Sequence, residues 1–381
     1  MKFRCLSIMA ASLVLASCAT LPRSAAAPAF YGEEDFAAVP KMDAHVHINI
    51  YDPAFLKLAR DRGFAVLSIN VDYPDFPALA EQAGVARRMK AAEPRLFDYA
   101  TTFPMDGFGG AGWSDRTIAG IDAALAGGAV AVKIWKNVGM VARDTEGRRV
   151  FLDDPRFDPV IAHLAAAGVP LIAHQGEPRN CWLPLDRMTT LNDRNYYRDH
   201  PQYHMYLHPA EPSYEKLMEI RDRFVARHPD LAFDGAHLGS LEWSVDALAG
   251  FLDRHPGAVV DLAARMSNLQ VQSQADRDKV RAFFIKYQDR LLYATDLTDN
   301  PPDDHAPAQN PPATGAFVAQ AEAVWRADWR YLATPLVQHV DAIDADVAGL
   351  ELPRTVIDKI YWSNARRFFR LSPDPAAVTG R

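Results

Sequence analysis

Cysteine is nearly absent from this chain: its 381 residues include three, at positions 5, 18 and 181. A disulfide framework is therefore excluded, and the 49% of apolar residues must supply the stability through a core. Basic tracts are missing as well. Acidic residues outnumber basic ones 48 to 41, for a net charge of −7, which argues against nucleic acid or electrostatic lipid binding as the chain's business. No Gly-x-Gly-x-x-Gly follows an apolar run, so nothing indicates a nucleotide-binding turn. No repeat of roughly 20–50 residues recurs, which excludes a solenoid or a propeller. The apolar run Leu6–Leu15 is too short to cross a bilayer as a helix.

That run has a different reading. Lys2 and Arg4 precede it, and Leu15-Ala16-Ser17-Cys18 closes it. A charged start, a short apolar segment and small residues at the end describe a secretory signal, cut before Cys18 or near Ala25-Ala26-Ala27. Leu-Ala-Ser-Cys resembles a bacterial lipobox. The resemblance implies cleavage before Cys18, lipidation of its thiol, and a lipid anchor in the cell envelope. Ala19 after the cysteine implies sorting to the outer membrane, facing the periplasm. Removing residues 1–17 takes Lys2 and Arg4 with it and moves the net charge from −7 to −9. Residues 18–36, rich in Ala, Pro and Ser, read as a tether. Residues 37–371 form the folded domain, and 372–381 a tail.

Within the domain, short apolar strands alternate with amphipathic helices. The strands are expected at Lys41–Ile48, Phe64–Val71, Arg95–Phe103, Ala129–Trp135, Val169–His174, Leu231–His237, Ala258–Leu262 and Leu291–Asp296. Helical patterns fill the intervals and a last one, Arg354–Phe369, follows the eighth strand. This is the pattern of an α/β fold, a (β/α)8 TIM barrel, with the open doubly wound sheet as the alternative. Two connections are long, Gln175–Pro212 after strand five and Leu297–Thr314 after strand eight. Both leave the end of the barrel where such folds keep their sites.

Strand one carries Asp43-Ala44-His45-Val46-His47. Side chains two apart on a strand share a face, so the two imidazoles project together, with Asp43 a step behind. Two imidazoles are half of a zinc site. Strand five ends on His174, strand six on His237 and strand eight on Asp296. Singly, each reads as a turn former or a helix cap. Jointly they converge, because the C-terminal ends of barrel strands meet at one mouth.

This constellation is similar to the amidohydrolase superfamily, and more closely to its amidohydrolase-related (amidohydrolase 2) branch. The likeness runs from Lys41 to Phe369 and includes the closing Ile360-Tyr361-Trp362-Ser363-Asn364-Ala365-Arg366-Arg367-Phe368. It implies a divalent metal, most commonly zinc, held by His45, His47, His174 and Asp296. One ion is the expectation and two the alternative. Asp296 would also take a proton from water, and His237 would serve as proton shuttle or carbonyl partner. Lys133, at the end of strand four, stands where two-metal relatives carry a carboxylated, bridging lysine; the plainer reading is a lysine paired with an acid or with substrate. Arg265 and Arg179 are candidate anion binders for a small-molecule substrate, the latter equally a loop salt bridge. His204 and His208 read as packing within the long connection, or as a second metal pair. The expected reaction is hydrolysis of an amide, lactone or ester bond through a metal-activated water. Non-oxidative decarboxylation and a non-catalytic binding barrel are the alternatives.

Overall fold

The computed structural model describes residues 29–301, 315–374 and 378. The signal sequence, Cys18 and residues 302–314 lie outside the described residues. Strands β1 (Lys41–Ile48), β2 (Phe64–Ile69), β3 (Phe97–Thr102), β4 (Ala131–Ile134), β5 (Leu171–Ala173), β6 (Phe233–Gly235), β7 (Val259–Asp261) and β8 (Leu291–Leu292) pair in parallel, each with the next. A ninth segment, β9 (Leu297–Asp299), pairs in parallel with β1. β8 and β9 are two halves of one interrupted strand. The first half bonds to β7 and the second to β1, with the Ala44 amide donating to Tyr293 O and the Asp296 amide to His45 O between them. That continuity closes the sheet into the expected (β/α)8 barrel.

The reason for closure is visible in β1, whose eight residues are all buried. A strand covered by helices on one face and by the barrel interior on the other must be apolar or paired throughout. Its polar members are paired. Lys41, sealed at the lower end, donates to the carbonyls of Phe36 and Val39 and lies under the rings of Phe36, Phe64 and Trp329. A register shift between Asp43 and Val46 interrupts the β1–β2 ladder. Asp43 accordingly bonds behind the histidines: it accepts from Thr295 N and Oγ1 and from Trp325 Nε1. Burial pushes its carboxyl up to about 7 against those donors.

Helices at Pro53–Asp61, Leu79–Ala92, Trp113–Ala126, Asp158–Ala167, Tyr214–Arg227, Val245–Arg254, Met266–Lys286 and Ala316–Ala333 surround the barrel. Asp52 caps the first, accepting from the amides of Ala54 and Phe55. The seventh breaks at Asp276, whose φ is −157°. The closing helix contains a π turn at Lys359–Ser363. A hairpin of Val337–Val340 and Ala345–Ala348 was not expected. None of the described helices is long and apolar enough to cross a membrane. Residues 30–36, assigned above to the tether, are packed: Phe36 is buried, Phe30 bridges to Pro353, and Tyr31 donates to Asp358.

The long connection after β5 is itself structured. Its turns and the short helix Leu191–Asp199 gather around Asn180, Cys181 and Tyr197. Asn180 Nδ2 donates to Asp193, Cys181 Sγ to Tyr203 O, and Trp182 Nε1 to Pro212 O. Burial pushes the Cys181 thiol up to about 12, so it is inert at neutral pH.

Candidate metal centre

His45 and His47 project together from β1, their ring centroids 5.2 Å apart. Across the closing seam lies Asp296, in the gap between β8 and β9 with φ 68°. Aspartate tolerates this left-handed conformation better than most residues, and it turns the carboxylate back over β1. Its Oδ1 lies 3.2 Å from His47 Nε2 and 3.4 Å from His45 Nε2. One ligand atom from each of His45, His47 and Asp296 falls within 4.8 Å of the others.

The far nitrogens of both imidazoles are tied down. His45 Nδ1 is 2.7 Å from Asp261 Oδ2, and His47 Nδ1 is 2.7 Å from Ile69 O. Nδ1–H donating to these acceptors leaves each Nε2 lone pair facing Asp296. Burial, reinforced by the charge of Lys133, lowers the His45 pKa and favours the neutral ring that a metal requires.

His174 follows β5 directly. It stands outside the three-residue group, with its ring 4.1 Å from that of His237, and it lines the same cavity of about 190 Å³. Its Nε2 is buried without a hydrogen-bond partner. An orphaned imidazole nitrogen at this depth is costly unless something else accepts its lone pair. The residues present therefore fit a divalent ion: three imidazole nitrogens and one carboxylate form a donor set suited to zinc.

His237 sits at the start of an unusual turn. His237, Leu238, Gly239 and Ser240 all have φ between 58° and 59°. Such a left-handed turn costs roughly 1–2 kcal/mol for each non-glycine residue, so it must be held. Tyr214 Oη donates to Ser240 O, Arg221 to Gly239 O, and Ser240 Oγ to Gln175 O. A Cβ at Gly235 would meet Gly239 Cα at 3.1 Å, so a side chain at the strand end would crowd the turn. The His237 amide donates to Asp261 Oδ1 at 2.6 Å and its Nδ1 lies 2.9 Å from Ala263 O. Burial keeps the His174 and His237 pKa values well below the ordinary histidine range. Burial alone would raise the Asp296 pKa; the imidazoles of His237, His47 and His45 outweigh it and hold the carboxylate ionised.

Lys133 is buried in the barrel with Nζ 3.4 Å from His45 Nε2. Burial lowers its pKa against the pull of Asp261, Asp296 and Asp234. Asp234 shares this interior, buried with neither carboxylate oxygen hydrogen-bonded. Burial and the neighbouring Asp261 raise its pKa well above the usual carboxylate range.

Arg265 and Arg179 stand apart from the cavity lining. Arg265 acts electrostatically on His174 and His237, and its Nε has no partner. The Arg179 guanidinium lies over the Trp243 ring at 4.1 Å. His204 and His208 bond to the carbonyls of Leu183 and Pro201, away from the cluster. The sequence reading assigned no role to Asp261, which orients both His45 and His237. Its signal was a carboxylate closing the apolar strand Val259-Val260-Asp261.

The family model described as Amidohydrolase matches residues 42–371. Comparison with curated proteins finds no match. Solved structures similar to this chain include a D-hydantoinase (dihydropyrimidinase) from Thermus sp., 13% identical, covering 87% of this chain and 70% of that one, with a TM-score of 0.46. Another is 4-oxalomesaconate hydratase from Rhodopseudomonas palustris, 14% identical over 87% of this chain and 95% of that one, TM-score 0.44. A third is amidohydrolase 2 from Bifidobacterium longum subsp. infantis, 12% identical over 88% and 100%, TM-score 0.40.

Proposed function

The chain belongs to the amidohydrolase family, and from that premise we propose that it is a metal-dependent hydrolase of an amide, lactone or ester bond in a small substrate. The observation that carries the reading is the donor set: His45 and His47 facing Asp296, each with its other nitrogen bonded, and the orphaned His174 Nε2 on the same cavity.

A divalent ion held by His45, His47, His174 and Asp296 would supply Lewis acidity and lower the pKa of water enough to give hydroxide near neutral pH. The protein residues do the rest. Asp296, ionised and half-buried at the cavity, accepts the proton that the attacking water loses. His237, neutral and fixed through Nδ1–H to Ala263 O, presents an unprotonated Nε2 that can take up the proton water gives to Asp296 and then deliver it to the leaving group. Water adds across the scissile bond: its oxygen goes to the acyl carbon and its proton to the departing amine or alcohol. Lys133, with its pKa lowered by burial, is the candidate for carboxylation and a second ion. Arg265 is the candidate for holding a substrate anion.

The lipid anchor at Cys18 and an outer-membrane location belong to the same proposal. Cys18→Ser releases the protein into the soluble periplasmic fraction if they hold. For the chemistry, His45→Ala and Asp296→Ala lose bound metal and turnover together. Full activity in either variant after chelation sinks the assignment.

A further inference from the structure

The inner cavity beside His45 and Asp296 adjoins two larger ones. One, of about 470 Å³, shares Val71, Tyr73, Phe76 and Trp135 with it. The other, an outer chamber of about 320 Å³, shares Tyr73, Trp135 and Lys136 with it. The shared wall begins at the candidate ligand His47. Phe76 lies edge-on to His47 at 5.2 Å, Tyr73 edge-on to Phe76 at 5.2 Å, and Trp135 follows at 4.6 Å from Tyr73. An aromatic surface thus runs without a break from the candidate metal centre to the outside.

Further lining comes from the connection after β5, which contributes Tyr196 and Tyr203. Their rings are nearly parallel, 9° apart in plane with centroids 6.4 Å apart. Both are left substantially open, at 42% and 45% exposure. Large partly exposed rings lining a cavity are the usual signature of a binding wall.

Two of the charged groups at this chamber are paired. The Lys136 ammonium is paired with Glu177 at 2.5 Å, and Glu211 is paired with Arg149. His208 is bound to a backbone carbonyl, and Arg143 donates to those of Val141 and Ala142. What the chamber offers a ligand is chiefly ring faces, with the Arg143 guanidinium beside them.

Building on the hydrolase reading, we propose that the outer chamber recognises an uncharged aromatic group of the substrate while the scissile bond reaches the inner chamber. The substrate class is then an aryl-bearing amide, ester or lactone, and the tyrosines of the 175–212 connection set the preference. A substrate ring seated against Tyr203 exchanges open ring surface for aromatic contact.

Two measurements test this on the zinc-loaded full-length protein. The first compares kcat/KM for ethyl 3-phenylpropanoate and ethyl hexanoate, which share the scissile bond and differ in the remote group. The aryl ester is favoured at least about tenfold, and Tyr203→Ala removes about that factor through KM. The second is fluorescence anisotropy of 2-naphthylmethanol, which has no hydrolysable bond; it binds the wild type and is weakened about tenfold by Tyr203→Ala. Equal turnover of the two esters, with no Tyr203-dependent binding of the naphthyl probe, overturns the chamber assignment and leaves the hydrolase reading standing. Tyr203-dependent probe binding without turnover of either ester does the reverse.

Discussion

His45 and Asp261 are joined at 2.7 Å, with both side chains sealed from solvent. The second oxygen of the same carboxylate accepts from the His237 amide. One acid on β7 therefore sets the attitude of a candidate ligand and of the candidate proton shuttle. Burial would raise its pKa, but His45 and the charges around it hold it at about 2, so it stays ionised throughout the neutral range.

Asp261→Asn tests that arrangement. An amide can present its oxygen to only one of the two donors, so either the His45 tautomer or the His237 backbone loses its partner. Loss of such a supporting bond weakens metal affinity about 10–100-fold. Competition against a chromophoric chelator measures it, and unchanged affinity would show that His45 is oriented by something else.

Metal removal has a stability readout that needs no substrate. Zinc at about a hundred times its dissociation constant stabilises the folded state by about 2.7 kcal/mol. Calorimetry with and without chelator should show the corresponding fall in Tm. His47→Ala should remove the difference, and persistence of the full shift would place the ion elsewhere.

A second buried acid gives a pH signature away from the centre. Asp328 accepts from Tyr293 Oη at 2.9 Å, and burial pushes its carboxyl from an ordinary 3.8 up to about 7. The fold therefore favours the protonated form. Its contribution is complete below about pH 4 and is lost as pH rises through about 7. Asp328→Asn keeps an acceptor for Tyr293 and cannot ionise. Urea midpoints of wild type and variant should therefore diverge between about pH 4 and pH 7, the wild type losing ground. A constant difference would mean that Asp328 does not titrate in this range.

The core behind the site is equally open to test. Phe64 of β2 stacks on Trp325 with centroids 4.0 Å apart and 11° between planes. Trp325 in turn donates to Asp43. Phe64→Ala should cost about 3–5 kcal/mol in urea unfolding, as large-to-small changes at buried aromatics do. A loss under about 1 kcal/mol would mean that the site collapses around the gap.

Much of this was legible in the chain itself. The strand over 41–48 was found to the residue, because it is long and carries its polar groups at regular intervals. Later strands proved shorter than their apolar runs: His174 follows β5, and His237 lies two residues past β6, where the backbone turns left-handed. Apolar pattern records burial, and burial continues after pairing stops. The role of Asp261 was hidden for the same reason, since one acid in an apolar strand does not announce its partner 216 positions away. The Val337–Val340 hairpin was missed because its exposed residues lack an inward-facing apolar set. The chamber walls could not be read either. Tyr196 and Tyr203 stood in a segment recognisable only as aromatic and polar.

The interrupted last strand has a consequence for how the molecule is made. Asp296 occupies the seam where β8 gives way to β9, and Asp43 meets Thr295 there from 252 positions away. A nascent chain holds the histidine pair early and the carboxylate only once strand β8 has been made. Zipping the barrel shut and completing the ligand set are then a single event, slow because it joins segments 252 positions apart. During refolding, uptake of the ion would mark the moment of closure, well after collapse of the core.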